Sequence, residues 1–195
     1  HIEQQKDYLP LRCAALNDCK NIAQILVCVK STQIESALAQ LTAHLRSDAV
    51  VVLALNGVSW LKLIDHYLPS QHILLLSSTH GSFRPQPWQV VDSGRGGKLL
   101  LGPGPRAPID GDALATQWDG FGLNCQWQDD IVARLWHKAA VNSCINPLTA
   151  LLDCRNGELL NHPKALEWLP LIIAEISAIL AHTPWPLTST ELERM

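Results

Sequence analysis

Apolar residues fall in short unbroken runs in the first half of this chain and at helical spacing in the second. Three runs stand out: residues 24–29, residues 49–55 with three consecutive valines, and residues 72–78. Each is four to eight residues long, the length of a strand buried on both faces. Between them lie amphipathic stretches predicted as helices, at about 33–45 and 59–67. Unbroken strands alternating with such helices predict an α/β fold with a parallel sheet covered on both faces. Right-handed crossovers then bring the carboxyl ends of all three strands to one edge of the sheet. Lys30, Asn56-Gly57 and Thr79-His80 lie just past those ends, where open α/β sheets bind ligands. Each residue alone is more often a helix cap or a turn residue, so their joint placement carries the argument.

The next section is rich in turns. Residues 88–92 and 98–101 read as two strands, joined as a hairpin by Ser93-Gly94-Arg95-Gly96-Gly97. A phosphate loop at 94–98 is disfavoured, because such a loop opens a helix and here a strand follows. Gly102-Pro103-Gly104-Pro105 breaks the chain. A helix at about 110–118 and a short strand near 124–127 complete the first unit. Helical patterning dominates from Asp129, so the boundary is set near Gln128, giving units 1–127 and 128–195. Asp129 and Asp130 suit the first turn of a helix running to residue 145. Pro147 is expected to end or kink it, with Asn146 capping a new short helix. Asn156-Gly157 reads as a turn, and Pro163 opens a long helix to about residue 182, ended by Pro184 and Pro186. Its apolar part, 166–180, contains Glu167, Pro170 and Glu175, which fits a buried helix rather than a membrane span.

The helix at 129–145 carries the most distinctive chemistry. Lys138, Asn142 and Asn146 are four residues apart, a spacing that keeps them within a narrow arc of one face. One cation flanked by two carboxamides suits a small anion whose oxygen gains charge during reaction. Spacing alone favours an ordinary solvated face, since exposed lysine and asparagine are common.

Composition narrows the classes. A hydrophobic fraction of 47% over 195 residues is ample for a core, and a net charge of −3 offers no basic patch for nucleic acid. The six cysteines, Cys13, Cys19, Cys28, Cys125, Cys144 and Cys154, contain no C-x-x-C pair. Cys28 and Cys144 fall inside predicted elements and read as small core residues, so neither disulfides nor zinc are expected and the cytosol is the natural compartment. The eight histidines show no H-x-x-x-H or H-E-x-x-H spacing, which argues against a metal site. His80 stands at a strand end; a surface role is its plainer reading.

Residues 135–150 resemble the lysine helix of the ketopantoate reductase (2-dehydropantoate 2-reductase) family, whose pattern is Trp-x-Lys-x-x-x-Asn-x-x-x-Asn-Pro-Leu-Thr-Ala. It is met here by Trp136, Lys138, Asn142, Asn146, Pro147, Leu148, Thr149 and Ala150. Residues 26–33, ending a strand at Lys30, the Asn56-Gly57 turn and Asn156-Gly157-Glu158-Leu159 are similar to further family segments in the same order. The resemblance implies a partial Rossmann-type domain followed by the start of an all-α domain. It implies NADPH-dependent reduction of 2-dehydropantoate, a small 2-oxo acid, to pantoate on the route to coenzyme A. Lys138 would be the general acid, Asn142, Asn146 and Asn56 would bind substrate, and Asn56 and Lys30 would meet the cofactor. The family opens with a strand, a Gly-x-Gly-x-x-Gly turn and a helix, about 30–40 residues, and ends in helices bearing a Ser and a Glu. Neither is found here, so the chain reads as an internal fragment expected to bind NADPH poorly or not at all on its own. A related 2-oxo or 3-hydroxy acid dehydrogenase and a non-catalytic remnant are the alternatives.

Overall fold

The computed structural model describes residues 14–92, 96–107 and 110–195. Cys13 and the stretch 93–95, part of the expected hairpin connection, lie outside the described residues. A five-stranded sheet in the order β1-β2-β3-β6-β7 organises the first part. Its strands are β1 (Ile22–Val27), β2 (Leu45–Leu53), β3 (His72–Ser78), β6 (Leu99–Pro103) and β7 (Cys125–Trp127). A separate two-stranded ribbon pairs β4 (Ser82–Phe83) with β5 (Val91–Asp92). The helices are α1 (Ile34–Leu41), α2 (Ile64–Tyr67), α3 (Gly111–Gly120), α4 (Ile131–Leu152), α5 (Pro163–Leu180) and α6 (Ser189–Glu193).

Strands β1, β2 and β3 are parallel, with Val27 opposite Leu53 and Leu53 opposite Leu75. Successive side chains of β3 point to opposite faces. Ile73 and Leu75 therefore join one cluster with Leu38 of α1, Trp60, Ile64 and the first turns of α4. Leu74 and Leu76 join Leu101 and Ala115 of α3 on the other face. Both faces of β3 and of the last residues of β2 are covered, which is why these stretches read as unbroken apolar runs. β1, at the sheet edge, is open on one face, with Leu26 47% exposed, contrary to the expected cover on both faces.

The expected parallel pairing of the three apolar runs holds; one addition and three corrections follow. The first, the addition, makes the sheet mixed: β6 runs antiparallel to β3, with Leu76 opposite Leu101, and β7 is parallel to β6. A parallel return needs a crossover, usually a helix. The chain between β3 and β6 carries none among its described residues, so it turns back. The second is the hairpin of 88–92 with 98–101, which does not form. Leu101 is fully buried beside β3 whereas Val90 is 74% exposed, so burial sends β6 into the sheet and leaves β5 to pair with β4. The third is Cys28, which lies one residue past β1 and is exposed, whereas Cys144 is buried as expected. The fourth concerns the helices. α4 runs unbroken through Pro147 to Leu152 and ends at Asp153 in the left-handed conformation, φ 48°. Asn146 is thus inside the helix and caps nothing. Proline leaves one i−4 carbonyl without an amide partner, and packing of the helix compensates: Leu148 beyond the proline is buried against Leu159 and Ala165.

α5 packs one face on α4 through Ile173 and Leu180. It is not buried all round: Leu166, Leu171 and Ile179 are exposed. Ser189–Glu193, an unexpected short helix, is capped by Thr188, whose Oγ1 accepts from the Glu191 amide. No described helix is long and apolar enough to cross a membrane.

The seat of α4 on the sheet is tight. A Cβ on Gly102 of β6 would overlap the Gln128 carbonyl oxygen and lie 2.5 Å from Ile131 Cβ. The first turn of α4 therefore rests directly on the strand backbone, one of the contacts, with those to β3 and α5, that set the position of the helix.

Candidate active site

A cleft of about 980 Å³ opens at the carboxyl ends of β1, β2 and β3 and is closed on its other side by α4. Each strand end supplies one wall segment. Beyond β1 come Cys28, Val29, Lys30, Ser31 and Thr32; beyond β2, Ala54, Leu55 and Asn56; at and beyond β3, Ser78, Thr79, His80 and Ser82. α4 contributes Lys138, Asn142 and Asn146, one per turn, and Asn156 joins them from the segment after the helix. All five residues singled out from sequence line this one cleft. Among the described residues lining the cleft, none is a carboxylate.

Lys138 Nζ donates a 2.6 Å hydrogen bond to the main-chain carbonyl of Ser78, the last residue of β3. Burial pushes the ammonium below the ordinary lysine value of 10.5, because the charged form loses hydration that the surroundings only partly replace. Asn142 is half-buried and Asn146 exposed on the same helical face. The solvated-face reading accounts for Asn146 and not for Lys138, which is bonded and partly buried.

Asn56 follows a fully buried strand end and precedes Gly57, whose φ of 79° suits glycine. The loop is pinned from below. Trp60, 1% exposed, donates its indole N–H to the Gly57 carbonyl at 2.9 Å, and the Ala54 amide donates to the Val27 carbonyl. The Asn56 side chain is exposed to the cleft and takes no part in that anchoring. Asn56→Ala should therefore weaken cofactor or substrate binding while changing stability by less than about 0.5 kcal/mol. A thermal melt with parallel kinetics checks this; a large stability loss with unchanged kinetics would make the side chain structural.

Lys30 begins a tight turn in which its carbonyl accepts from the Gln33 amide at 2.8 Å and its own amide donates to Gln33 Oε1 at 3.3 Å. The turn presents Lys30 at the rim opposite α4. Asn156 was read from sequence only as a turn residue. The chain reverses at left-handed Asp153 and brings it back to the cleft ten residues after Asn146, a return that helical periodicity does not encode. Among the described residues no group of three or more His, Cys, Asp or Glu could hold a metal.

Two family patterns match the chain: "Ketopantoate reductase PanE/ApbA" over residues 2–106 and its C-terminal counterpart over residues 130–195. The 2-dehydropantoate 2-reductase of Vibrio cholerae is 31% identical over 171 residues, covering 88% of this chain and 56% of that protein. The enzyme of the same name from Yersinia pestis is 32% identical over 179 residues, covering 90% and 56%. The chain thus spans about half the length of these relatives. Among solved structures, D-mandelate dehydrogenase with NADH and anilino(oxo)acetate superposes with a TM-score of 0.78 at 25% identity, covering 88% of this chain and 56% of the other. The 2-dehydropantoate 2-reductase of Methylococcus capsulatus shares the fold, with a TM-score of 0.74 at 21% identity over 90% and 56%. Two patterns spanning both parts of the chain, together with relatives above 30% identity, settle its kinship: the chain belongs to the ketopantoate reductase family.

Proposed function

We propose that this chain forms the catalytic cleft of an enzyme that reduces 2-dehydropantoate to pantoate with NADPH, on the route to coenzyme A. The observation that carries the reading is the make-up of the cleft. Among the described residues, two lysines, four asparagines and several hydroxyls line the space and no carboxylate does, a setting that attracts an anion and fixes its orientation by neutral donors. Relatives named 2-dehydropantoate 2-reductase support the substrate. The NADH in the D-mandelate dehydrogenase complex supports a nicotinamide dinucleotide; NADPH follows the family resemblance. The division into units 1–127 and 128–195 belongs to the same reading, with the cleft where they meet. Its free cysteines suit the cytosol.

The cleft fits such a cofactor in topology and chemistry. It lies at the carboxyl ends of parallel strands, where dinucleotides bind, and Lys30 and Asn56 are the residues that would hold the cofactor there. When bound, the cofactor supplies hydride to the ketone carbon. The carbonyl oxygen then gains negative charge, and Lys138 lies across the cleft to neutralise it and pass it a proton. The ketone becomes an alcohol and the ammonium a neutral amine. The same burial that lowers the Lys138 pKa makes that loss easier. Asn142, Asn146 and Asn156 hold the rest of the acid in place throughout.

Two measurements test this in the full-length enzyme. Oxidation of NADPH should depend on 2-dehydropantoate. A panel including phenyl-substituted 2-oxo acids checks the second reading, a broader 2-oxo acid dehydrogenase, which the likeness to D-mandelate dehydrogenase favours. No turnover with any 2-oxo acid and either nicotinamide cofactor would refute both. The pH profile is the second measurement. Lys138 must be protonated for reduction, so the rate should fall as pH rises through a value below 10.5, and oxidation of the alcohol should rise over the same range. A reductive rate flat to pH 10.5 would remove Lys138 as the acid.

A further inference from the structure

Three basic side chains line the cleft, and the reaction above uses Lys30 and Lys138. The third is His80. It stands two residues beyond the Ser78 carbonyl that holds Lys138, and its main chain is fixed on several sides. Its amide donates to Ser78 Oγ at 3.2 Å. The preceding Thr79 donates its amide to the Lys98 carbonyl at 2.9 Å and accepts the Lys98 amide on Oγ1 at 2.9 Å. Gly97 packs so closely that a Cβ there would lie 2.6 Å from His80 Cα, N and Cγ. Gly97 is itself held, its carbonyl accepting from Asn124 Nδ2 at 2.8 Å. In contrast to this rigid base, the side chain is exposed. A fixed root carrying an open imidazole at the edge of a cationic cleft is built for contact with a ligand.

We propose that His80 is a further substrate-contacting residue, donating to the carboxylate of the 2-oxo acid, and that Gly97 is the positioning residue that sets it there. This rests on the reading of the cleft as a 2-oxo acid site. Imidazole is the side chain that gains a proton and a second N–H donor between pH 8 and 5. Hydrogen bonds from a charged donor to a carboxylate are about twice as strong as neutral ones. Among the described residues, charged groups on the surrounding elements include Lys138 on α4, Lys30 beyond β1, Lys98 ahead of β6, and Asp92 on β5, which pairs with Ser82. A bound carboxylate adds a negative charge beside the imidazole and so favours its protonated form. By linkage the two effects are equal: the acid raises the proton affinity of His80, and the proton tightens the acid by the same factor.

The test uses the full-length enzyme, with 2-dehydropantoate as the probe and its methyl ester as an uncharged control. Affinity is measured by calorimetry from pH 8 to pH 5.5, with the His80 ring followed by NMR. Wild type should bind the acid roughly tenfold tighter at the lower pH, the scale of one charge-assisted hydrogen bond, and the ester equally at both. His80→Gln should flatten the dependence, Gly97→Ala should weaken the acid by displacing the ring, and the His80 titration midpoint should rise when the acid binds. If His80→Gln binds the acid as wild type does at every pH, the inference is overturned, whether or not the enzyme turns over. If acid binding depends on His80 while no reduction occurs, the inference stands and the reductase reading falls.

Discussion

Lys138→Ala in the full-length enzyme is expected to lower kcat by roughly 10²–10⁴-fold, the usual scale for a general acid. Lys138 is the one cleft cation that α4 carries, and it is bonded to the end of the central strand rather than to solvent. Binding of the ketone should suffer less than turnover, because the charge that the ammonium opposes is complete only late in the reaction. Asn142→Ala should show the opposite balance. A neutral donor on the same face, one turn along, positions the substrate throughout, so KM should rise more than kcat falls. Lys138→Ala should not cost much stability, since it removes an ammonium that burial already disfavours. Steady-state kinetics beside a thermal melt separate these effects. Turnover near that of wild type in Lys138→Ala would remove the central residue of the proposed chemistry.

Gly102→Ala should be nearly as damaging, by a route that involves no chemistry. The added methyl would meet the Gln128 carbonyl and Ile131 Cβ, and neither is the yielding tip of a long side chain. Inserting volume into such a contact costs about 1–3 kcal/mol, here toward the upper end, or a fall in Tm of roughly 6–12 °C for a protein of this size. α4 would lift from β6 and carry Lys138 with it. A displacement of about 1 Å at a reacting group can cost 10²-fold in rate. Loss of kcat in Gly102→Ala, in protein that still folds at the assay temperature, is the expected result. An unchanged Tm together with unchanged kcat would show that α4 is not seated on this glycine.

Strands buried on both faces announce themselves in sequence, which is why β3 was expected at the residues where it lies and β2 close to them. The order and direction of β6 were not legible. Leu99–Pro103 and Val91–Asp92 are both short apolar stretches beside glycines, and only competition for the place next to β3 decides which enters the sheet. α4 was legible in its pitch and misjudged in its length. Proline breaks a helix when nothing offsets the lost hydrogen bond, and here the packing of Leu148 on Leu159 and Ala165 offsets it. The site divides in the same way. Lys138, Asn142 and Asn146 share a periodicity, and Lys30 and Asn56 share a position after strands, so both sets show in sequence. Asn156 depends on the direction in which the chain leaves a left-handed residue, and the reach of His80 depends on a glycine seventeen residues away in sequence. Neither relation has a period.

In the proposed reaction, the bond from Lys138 to the Ser78 carbonyl sets the terms on which a substrate can claim the ammonium. A ketone entering the cleft offers a neutral oxygen where a neutral amide oxygen is already bound, so the exchange changes little free energy. An amide is, if anything, the better acceptor of the two. The sheet's own main chain thus serves as a reference acceptor against which each species along the reaction is weighed. The resting ketone gains almost nothing over that reference, whereas an oxygen with developing negative charge outbids it decisively. In the proposed reaction, a lysine occupied in advance would offer little to the ground state and its full attraction to the transition state, where that attraction raises the rate rather than merely tightening binding.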